Sequence, residues 1–317
     1  MATRSTTLPQ ARTRRSAARR REAIQGILWS SPWLIGFLLF TLGPMLASLY
    51  LAFNDYSIAG PPVWVGIANF KKALGGGDEL FWASLGLTLK YAFVMVPLGI
   101  VGSLLAALAL NQGLKLTSLF RTFFFLPSLT PVVASAVVWA WLYNPNYGFL
   151  NYLLQQVGIK GPRWLTDPDS ALFSLMIVAL WGSVGGSTMI IFLAGLQGVP
   201  KELHEAAEID GAGAVRRFFA VTLPMISPTL FFNLVIGVIA ALKVFALPDV
   251  MTGGGPNYAT WTFIKHLYQN GFQSFDMGYA SALAWIFMAI VVTLTLINVR
   301  LGNRWVYYEG DVRREDE

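Results

Sequence analysis

The sequence predicts an all-α integral membrane protein with six transmembrane helices and one short helix in a cytoplasmic loop. Three observations lead to this prediction: a low content of charged residues, six long apolar stretches, and an uneven distribution of lysine and arginine. The chain has 317 residues, of which 55% are hydrophobic and only 13% are charged. Soluble proteins carry about 25% charged residues, so much of this surface must face something other than water.

Six apolar stretches are each long enough to cross a bilayer, whose ~30 Å hydrocarbon core needs about 20 helical residues. They cover roughly residues 27–53, 84–110, 119–143, 170–196, 223–248 and 277–299. Pairs of prolines interrupt the first, third and fifth stretches, and neighbouring helices can satisfy the carbonyls that proline leaves free. We therefore expect a packed bundle, with a short amphipathic helix at 147–158 on its outer surface.

The distribution of lysine and arginine predicts that both termini are cytoplasmic. Seven arginines lie within the first 21 residues, and with this end inside, 16 of the 23 basic residues fall on the cytoplasmic side. Short basic loops stay inside when a membrane protein inserts. We accordingly divide the chain into a basic tail at 1–26, a six-helix transmembrane domain at 27–305 and a charged tail at 306–317.

The sequence lacks the residues that several kinds of chemistry need. The chain has no cysteine, so disulfides and thiolate chemistry are excluded. The phosphate-binding loop G-x-x-x-x-G-K-[ST] does not occur, which argues against ATP hydrolysis by this chain. The string HEAAE at 204–208 lacks the second histidine of the H-E-x-x-H motif. We therefore expect no catalytic site, no metal and no nucleic-acid partner.

The loop predicted between the fourth and fifth spans, about 198–224, concentrates acidic residues in a short helix. Pro200 suits the first helical position, and Gly211 favours an end after about Ile209. At 1.5 Å per residue this helix is ~15 Å long and too short to span the membrane. A second helical stretch is expected at about 212–222. Two alternatives remain for such a protrusion: docking on a partner protein, or an interhelical loop in water or on the membrane surface.

The motif in this loop resembles the hallmark of the binding-protein-dependent ABC importer permeases. That hallmark reads E-A-A-x-x-D-G-A, followed by a phenylalanine and then Leu-Pro. Its elements are present at the family's spacing as Glu205, Ala206, Ala207, Asp210, Gly211, Ala212, Phe218, Leu223 and Pro224. The resemblance implies a coupling helix seated on a separate ATPase subunit, with Glu205 as a polar anchor and Gly211 at the bend. ATP and Mg²⁺ would bind that partner, and this chain would need no cofactor.

Three further stretches resemble the carbohydrate subfamily, the maltose-type permeases. They are VGIANFKKAL at 65–74, the third span with its following loop at 121–154, and LKVFALPDVMTGGGP at 242–256. The match covers roughly 30–305. One departure is Phe245-Ala246, where the family usually has Phe-Asp. Another is that no large outer domain follows the early spans, so the chain is similar to the compact form of the first permease subunit.

The resemblance implies an importer in a prokaryotic plasma membrane. Its other parts would be a homologous second permease, two ATPase subunits and an extracytoplasmic binding protein, with a sugar, and specifically an oligosaccharide, as cargo. The outer loop facing that binding protein would contain Gly253, Gly254, Gly255 and Pro256.

Polar and aromatic residues within spans are the candidates for the transport path, because a polar group inside a membrane is costly unless it serves a function. In that family the transport path runs near mid-membrane, and span five contributes to its wall. The resemblance therefore implies that Asn233, Lys243 and Phe245 line the path. Trp181 and Ser183 on span four are weaker additions. An alternative for Lys243 is that its ammonium group simply reaches the outer interface.

Three other functions stay open. The same class of transporter would carry glycerol phosphate or another polyol if basic residues lined the path, and Lys243 is the one hint of this. A secondary transporter driven by ions would need buried titratable pairs or broken helices at mid-membrane, which the spans offer rarely. A purely structural membrane protein has little in the sequence to favour it.

Overall fold

In the computed structural model of the chain, the described residues are 11–113, 115–302 and 304–307, with side chains from Arg19 onward. Most of the predicted C-terminal tail, and the first ten residues of the N-terminal tail, lie outside the described residues. The first spanning segment comprises α1 (Ala11–Phe37), a π-helical turn and α2 (Gly43–Ala52). Pro44 has no N–H with which to continue the helical ladder, and the wider turn occurs directly before it.

A small hairpin joins this segment to the second span. Strand β1 (Asn54–Asp55) pairs antiparallel with β2 (Val63–Trp64), and helix α3 (Ala68–Leu74) follows. The Asn69 side chain donates hydrogen bonds to the backbone oxygens of Ala52 and Asn54, at 3.0 and 2.9 Å. Asn69 therefore satisfies carbonyls at the end of α2 and in β1.

The second and third spans differ in continuity. The second is one helix, α4 (Glu79–Leu110), whose first turn is capped by Asp78. The third is divided into α5 (Thr117–Leu129) and α6 (Val132–Leu142), which meet at an angle of 94°. Pro131 causes the break, since a residue before proline is disfavoured in the helical conformation and Thr130 is extended. The short helix α7 (Phe149–Gln156) forms where the sequence predicts an amphipathic helix.

The fourth span is also bent. Helix α8 (Pro168–Ser183) and helix α9 (Ser187–Gln197) form an angle of 47° across Val184–Gly186. The bend brings Gly185 against the backbone of Phe124 in α5. Glycine is required there, because no side chain fits between the two backbones.

The segment after α9 and the fifth span consist of several short pieces. Helices α10 (Lys201–Ile209) and α11 (Ala214–Arg217) lead into a π-helical turn at Phe218–Thr222 and the single turn α12 (Leu223–Met225). The membrane part is α13 (Ser227–Leu242) followed by α14 (Ala246–Thr252). Between them the helix is interrupted at 243–245.

The sixth span is preceded by a short helix, α15 (Phe263–Tyr268), and a π-helical turn at Gln269–Gln273. The span itself is α16 (Met277–Gly302), which packs along α2 and beside α13. The centre of the bundle is α4, which contacts α8, α9, α13 and α15. Ala107 of α4, Phe192 of α9 and Ile226 before α13 are completely buried in this core.

The predicted fold class is confirmed: four helical segments are long and apolar enough to span a membrane, and the described residues give six spans if each of the two bent pairs is counted as one. The four segments are Arg19–Ala52, Glu79–Leu110, Ser227–Thr252, which includes the interruption at 243–245, and Met277–Gly302. The second helix begins five residues before its predicted start, because Asp78 caps its first turn. Side chains of the first span face outward, with Trp29 87% exposed. The rest of the chain thus leaves the side chains of this span uncovered, and lipid or a partner has to cover them.

Replacing Gly185 by alanine is expected to lower the thermal unfolding midpoint of the chain in detergent. A Cβ at this position would lie 1.7 Å from the backbone oxygen of Phe124, so α5 and the bend between α8 and α9 must separate. Such overpacking typically costs about 1–3 kcal/mol. Gly182→Ala is the matched control, because a Cβ there meets nothing within 4 Å. Equal midpoints for the two variants would contradict the close approach of α5 to the bend.

Candidate functional site

The segment between α9 and α13 is a pair of short helices joined at Gly211. Gly211 has a φ of +76°, and its N–H donates to the oxygen of Glu208 at 3.0 Å. The N–H of Ala212 donates to the oxygen of Ala207 at 2.9 Å. These two bonds form a Schellman motif, in which glycine adopts the left-handed conformation without steric cost. The helix ends after Ile209, as predicted.

Two local details differ from the sequence prediction. Pro200 directly precedes the first helical residue, Lys201, rather than occupying that position itself. The second helical stretch begins at Ala214 instead of about 212, since the turn at Gly211 needs two further residues before the chain can resume a helix. The connection between α10 and α11 is therefore about two residues longer than the sequence predicts.

An ion pair fixes the angle between the two short helices. The Arg217 guanidinium lies 2.6 Å from the Glu208 carboxylate. The Glu208 side chain is mostly exposed, and exposed pairs contribute only about 0.2–1 kcal/mol to stability. The pair therefore orients α10 relative to α11 more than it stabilises the fold.

The residues of the predicted coupling motif divide into an outward and an inward group. Glu205, Ala206, Asp210 and Gly211 are exposed, whereas Ala207, Ala212 and Phe218 are half-buried. Phe218 packs against the core formed by α4 and α9. The outward surface also carries apolar side chains, including Ile209 at 86% exposure. Exposed apolar side chains beside acidic ones are typical of a surface that another protein covers.

A cavity of about 330 Å³ lies between α4, the α8–α9 pair and α13. Its polar groups are hydroxyls and one amide, from Tyr91, Ser103, Ser183, Ser187, Thr188 and Asn233. The Ser103 hydroxyl is buried and has no hydrogen-bond partner among the described residues. Buried hydroxyls normally have one, so this group is an exception within the cavity wall. Of the described residues that line the cavity, none is charged.

The structure brings together only part of the predicted path. Ser183 and Asn233 line the cavity, and Asn233 also donates to the Thr229 oxygen at 3.0 Å. Lys243 instead lies along a groove with Leu267, Phe287 and Met288.

The two predicted aromatic residues each pack on another ring. Phe245 lies 5.1 Å from Tyr268, and Trp181 lies 5.7 Å from Trp139, measured between ring centroids. Lys243 and Phe245 follow Asn233 by ten and twelve residues, and at about 100° per residue even an unbroken helix would point them roughly 80° and 120° away from it.

Tyr91 is the main residue that sequence reasoning missed. It lies on α4, lines the cavity, and also lines a second recess at the bend between α5 and α6. Ser183 lines both spaces too, and the recess adds the hydroxyls of Ser128, Thr130 and Ser135. A tyrosine one position after Lys90, inside an apolar stretch, is the signal in the sequence that could have indicated it.

A second polar cluster lies where α4 and α16 begin. The Asp78 carboxylate accepts a hydrogen bond from the Tyr279 hydroxyl at 2.5 Å and lies 2.6 Å from Nε2 of His266. Burial alone raises the pKa of Asp78, but the hydrogen bonds with Tyr279 and His266 outweigh it and lower the pKa below its ordinary value. The cluster therefore stabilises the fold at pH values above the ordinary pKa of an aspartate. This contribution is lost only as the pH falls through the lowered pKa of Asp78.

The predicted outer loop follows α14. Gly253 and Gly254 have φ values of +61° and +95°, a conformation that side chains other than glycine rarely adopt. Gly254 is also sterically restricted, because a Cβ there would lie 2.4 Å from the Trp261 ring. The loop tip, Asn257 and Tyr258, is exposed.

A bundle of spanning helices around an uncharged polar cavity, with a helix pair protruding beyond one end, defines a membrane transport subunit. Residues 99–306 match the family described as the inner membrane component of binding-protein-dependent transport systems. The chain belongs to this family, and is therefore a multi-pass permease subunit.

Curated relatives agree with this assignment over almost the whole chain. The chain is 41% identical to the probable ABC transporter permease protein YesP of Bacillus subtilis, covering 94% of this chain and 96% of the relative. It is 34% identical to the trehalose/maltose transport system permease protein MalF of Thermococcus litoralis, covering 89% and 95%. It is 36% identical to the sn-glycerol-3-phosphate transport system permease protein UgpA of Yersinia pestis, covering 78% and 82%.

A solved structure shows the same fold. The chain matches a subunit of the bacterial alginate ABC transporter, solved in complex with its alginate pentasaccharide-bound periplasmic protein, with a TM-score of 0.79. The identity is 23%, and the match covers 91% of this chain and 96% of the other. The fold of an ABC importer permease, predicted from the sequence, is confirmed.

Proposed function

We propose that this chain is one of two permease subunits of an ATP-driven sugar importer, in which it forms half of the path and receives force through residues 198–224. The uncharged cavity lined by Tyr91, Ser183 and Asn233 carries this proposal. A neutral sugar is recognised by hydroxyl and amide groups together with an aromatic ring, and this cavity offers all three. The cargo of the trehalose/maltose relative has the same chemistry.

A phosphorylated polyol is the second candidate, because the glycerol-3-phosphate relative is about as similar to this chain as the sugar relative. A phosphate dianion needs cationic partners to leave water. Lys243, the cation that the sequence suggests, lies outside the cavity. The second permease would therefore have to supply the positive charge, which makes a sugar the better candidate.

An ion-driven mechanism is disfavoured by the positions of the buried ion pairs. Such transporters bind their coupling ion near mid-membrane. Among the described residues, the two buried pairs with Asp partners are Asp78–His266 and Asp249–Lys265. Asp78 precedes α4 and the other three follow the break in span five, so both pairs lie at the outer ends of spans.

The packing supports a mechanical route from the protruding helices to the cavity. Phe218, Val221 and Met225 lie between α11 and α13 and pack against the core of α4 and α9. The same helices α4, α9 and α13 form the cavity walls. A partner that pushes on α10 would therefore move the walls, provided that it binds one conformation better than the other.

The remaining parts of the proposal follow from membership of the family and the distribution of charge. The partners would be a homologous second permease, two ATPase subunits that bind ATP and Mg²⁺, and an extracytoplasmic binding protein at the loop containing Gly253–Pro256. Both termini would be cytoplasmic, in the plasma membrane of a prokaryote, with the N-terminal arginines near anionic lipid.

The test is ATP hydrolysis by the assembled transporter in liposomes. This chain is co-purified with the second permease and the ATPase, and the binding protein is added with mono-, di- and trisaccharides or glycerol phosphate. We expect stimulation by one sugar, and only with the binding protein present. Stimulation by glycerol phosphate alone would overturn the sugar assignment. Failure of any ATPase to assemble with the chain would overturn the coupling role.

A further inference from the structure

Helix α14 is attached to the rest of the chain at two points where the backbone leaves the helical conformation. Before it, Phe245 has φ −143° and ψ −61°. After it, Gly253 and Gly254 have positive φ values. A helix of seven residues between two such joints can rotate as a unit, because hinge motion is absorbed by a few residues at element ends.

The neighbouring helix α15 is fixed much more firmly. The Phe263 N–H donates to the buried hydroxyl of Thr88 in α4 at 2.8 Å, and the Phe263 ring stacks on Phe287 of α16 with centroids 4.7 Å apart. His266 of α15 pairs with Asp78 at the start of α4. Helix α15 is thus held by both α4 and α16 and provides a static support beside α14.

Polar contacts connect α14 to α15 and to the loop that precedes α15. The Lys265 ammonium lies 2.5 Å from the Asp249 carboxylate, and the Lys265 side chain is only 7% exposed. The Thr252 and Thr260 hydroxyls lie 2.6 Å apart. Trp261 and Tyr268 approach the ammonium at 5.5 and 5.7 Å from their ring centroids. A buried ammonium without a carboxylate is strongly unfavourable, so Asp249 can leave only if Lys265 is hydrated at the same time.

The opposite side of α14 faces the space that a cargo would cross. Leu247 is buried among Ala136, Leu175 and Val178, and it lines the recess at the bend of the third span. Val244, two residues before α14, lines the cavity itself. A rotation of α14 would therefore withdraw Leu247 from the recess and open the path at its outer end.

From this arrangement, we propose that α14 is a movable outer wall of the transport path and that the ion pair between Lys265 and Asp249 is the latch that holds it in place. The inference rests on the proposed function for its link to transport, but the movement of α14 is testable without any cargo. Lys265 and Asp249 are positioning residues, since they act on the path through Leu247.

The movement is measured first with a spin label on α14 in the complex with the second permease and the ATPase. The chain has no native cysteine, so Val250→Cys gives a single labelled site on α14 and Tyr152→Cys gives a reference site on α7. Lys265→Gln and Asp249→Asn are each expected to increase label mobility at 250 and leave it unchanged at 152. The exchange Asp249→Lys with Lys265→Asp should restore the mobility of the parent chain.

Lys72→Gln is the matched control, because it removes a lysine from another outer ion pair, Lys72–Asp276 at 3.3 Å, which does not involve α14. ATP hydrolysis without binding protein is the second readout. We expect it to rise several-fold in the two latch variants and to stay at the parent level in Lys72→Gln and in the exchanged pair. If a single variant fails to assemble, Asp249→Asn combined with Lys265→Gln leaves no unpaired charge and should give the same increase.

Unchanged mobility at 250 in the latch variants, or an equal increase in Lys72→Gln, would overturn the latch. So would an increase that the exchanged pair does not reverse, since packing damage rather than lost attraction would then be the cause. If the parent complex shows no stimulation by any cargo, the proposed transport function fails while the mobility result still decides the latch.

Discussion

Replacing Gly211 by proline should abolish ATP-driven uptake while leaving the chain inserted in the membrane. The proline ring fixes φ near −65°, whereas Gly211 has a φ of +76°. Proline also lacks the N–H that donates to the Glu208 oxygen. Both changes prevent the Schellman turn, so α10 and α11 must adopt another angle. The apolar spans that direct insertion are untouched.

Gly213→Pro is the matched control for this prediction. Gly213 lies two residues further along and has a φ of −66°, which proline adopts without strain. A Cβ at either position meets nothing within 4 Å, so a steric clash does not distinguish the two variants. Gly211→Ala should fall between them, since a side chain in the left-handed conformation costs about 1–2 kcal/mol.

The measurement is uptake of labelled cargo into proteoliposomes, with membrane insertion followed by the amount of chain recovered in the membrane fraction. We expect uptake at background for Gly211→Pro and near the parent rate for Gly213→Pro. Normal uptake by Gly211→Pro would show that the angle between α10 and α11 does not transmit force. Loss of the chain from the membrane would show that the turn is needed for folding instead.

The structure of residues 198–224 was predictable because it is local. The end of α10 depends on Gly211 and on hydrogen bonds between residues at most five positions apart, and sequence motifs describe such distances well. The existence of six spans was predictable for a related reason, since the thickness of the bilayer alone sets the length of an apolar helix. Neither conclusion needs to know which helices are neighbours.

The lining of the cavity was only partly predictable because it depends on the direction of each side chain and on contacts between distant spans. Each residue turns a helix by about 100°, so even in an unbroken helix Lys243, ten residues after Asn233, points roughly 80° away from it. Asn233 lines the cavity, whereas Lys243 lies outside it. Tyr91 contributes through packing of α4 against α8 and α13, which no short-range pattern indicates.

Replacing Gly237 by phenylalanine should block uptake without preventing assembly or basal ATP hydrolysis. Gly237 lines the cavity, and a Cβ there would lie 3.6 Å from a methyl group of Val96, an ordinary contact. Alanine therefore fits, but a larger side chain has to extend into the space of about 330 Å³. Because residues 198–224 and their contacts with α4 and α9 are unchanged, the ATPase should still bind and hydrolyse ATP.

Gly86→Phe is the matched control, since Gly86 is an exposed position of α4 at which a Cβ meets nothing within 4 Å. It places the same ring on the outside of a span, and uptake should remain normal. A series of alanine, valine and phenylalanine at 237 should reduce uptake progressively, and the longest sugar should be lost first. Equal uptake in Gly237→Phe and the parent chain would mean that the cargo passes elsewhere, and the roles of Tyr91, Ser183 and Asn233 in the path would then be wrong.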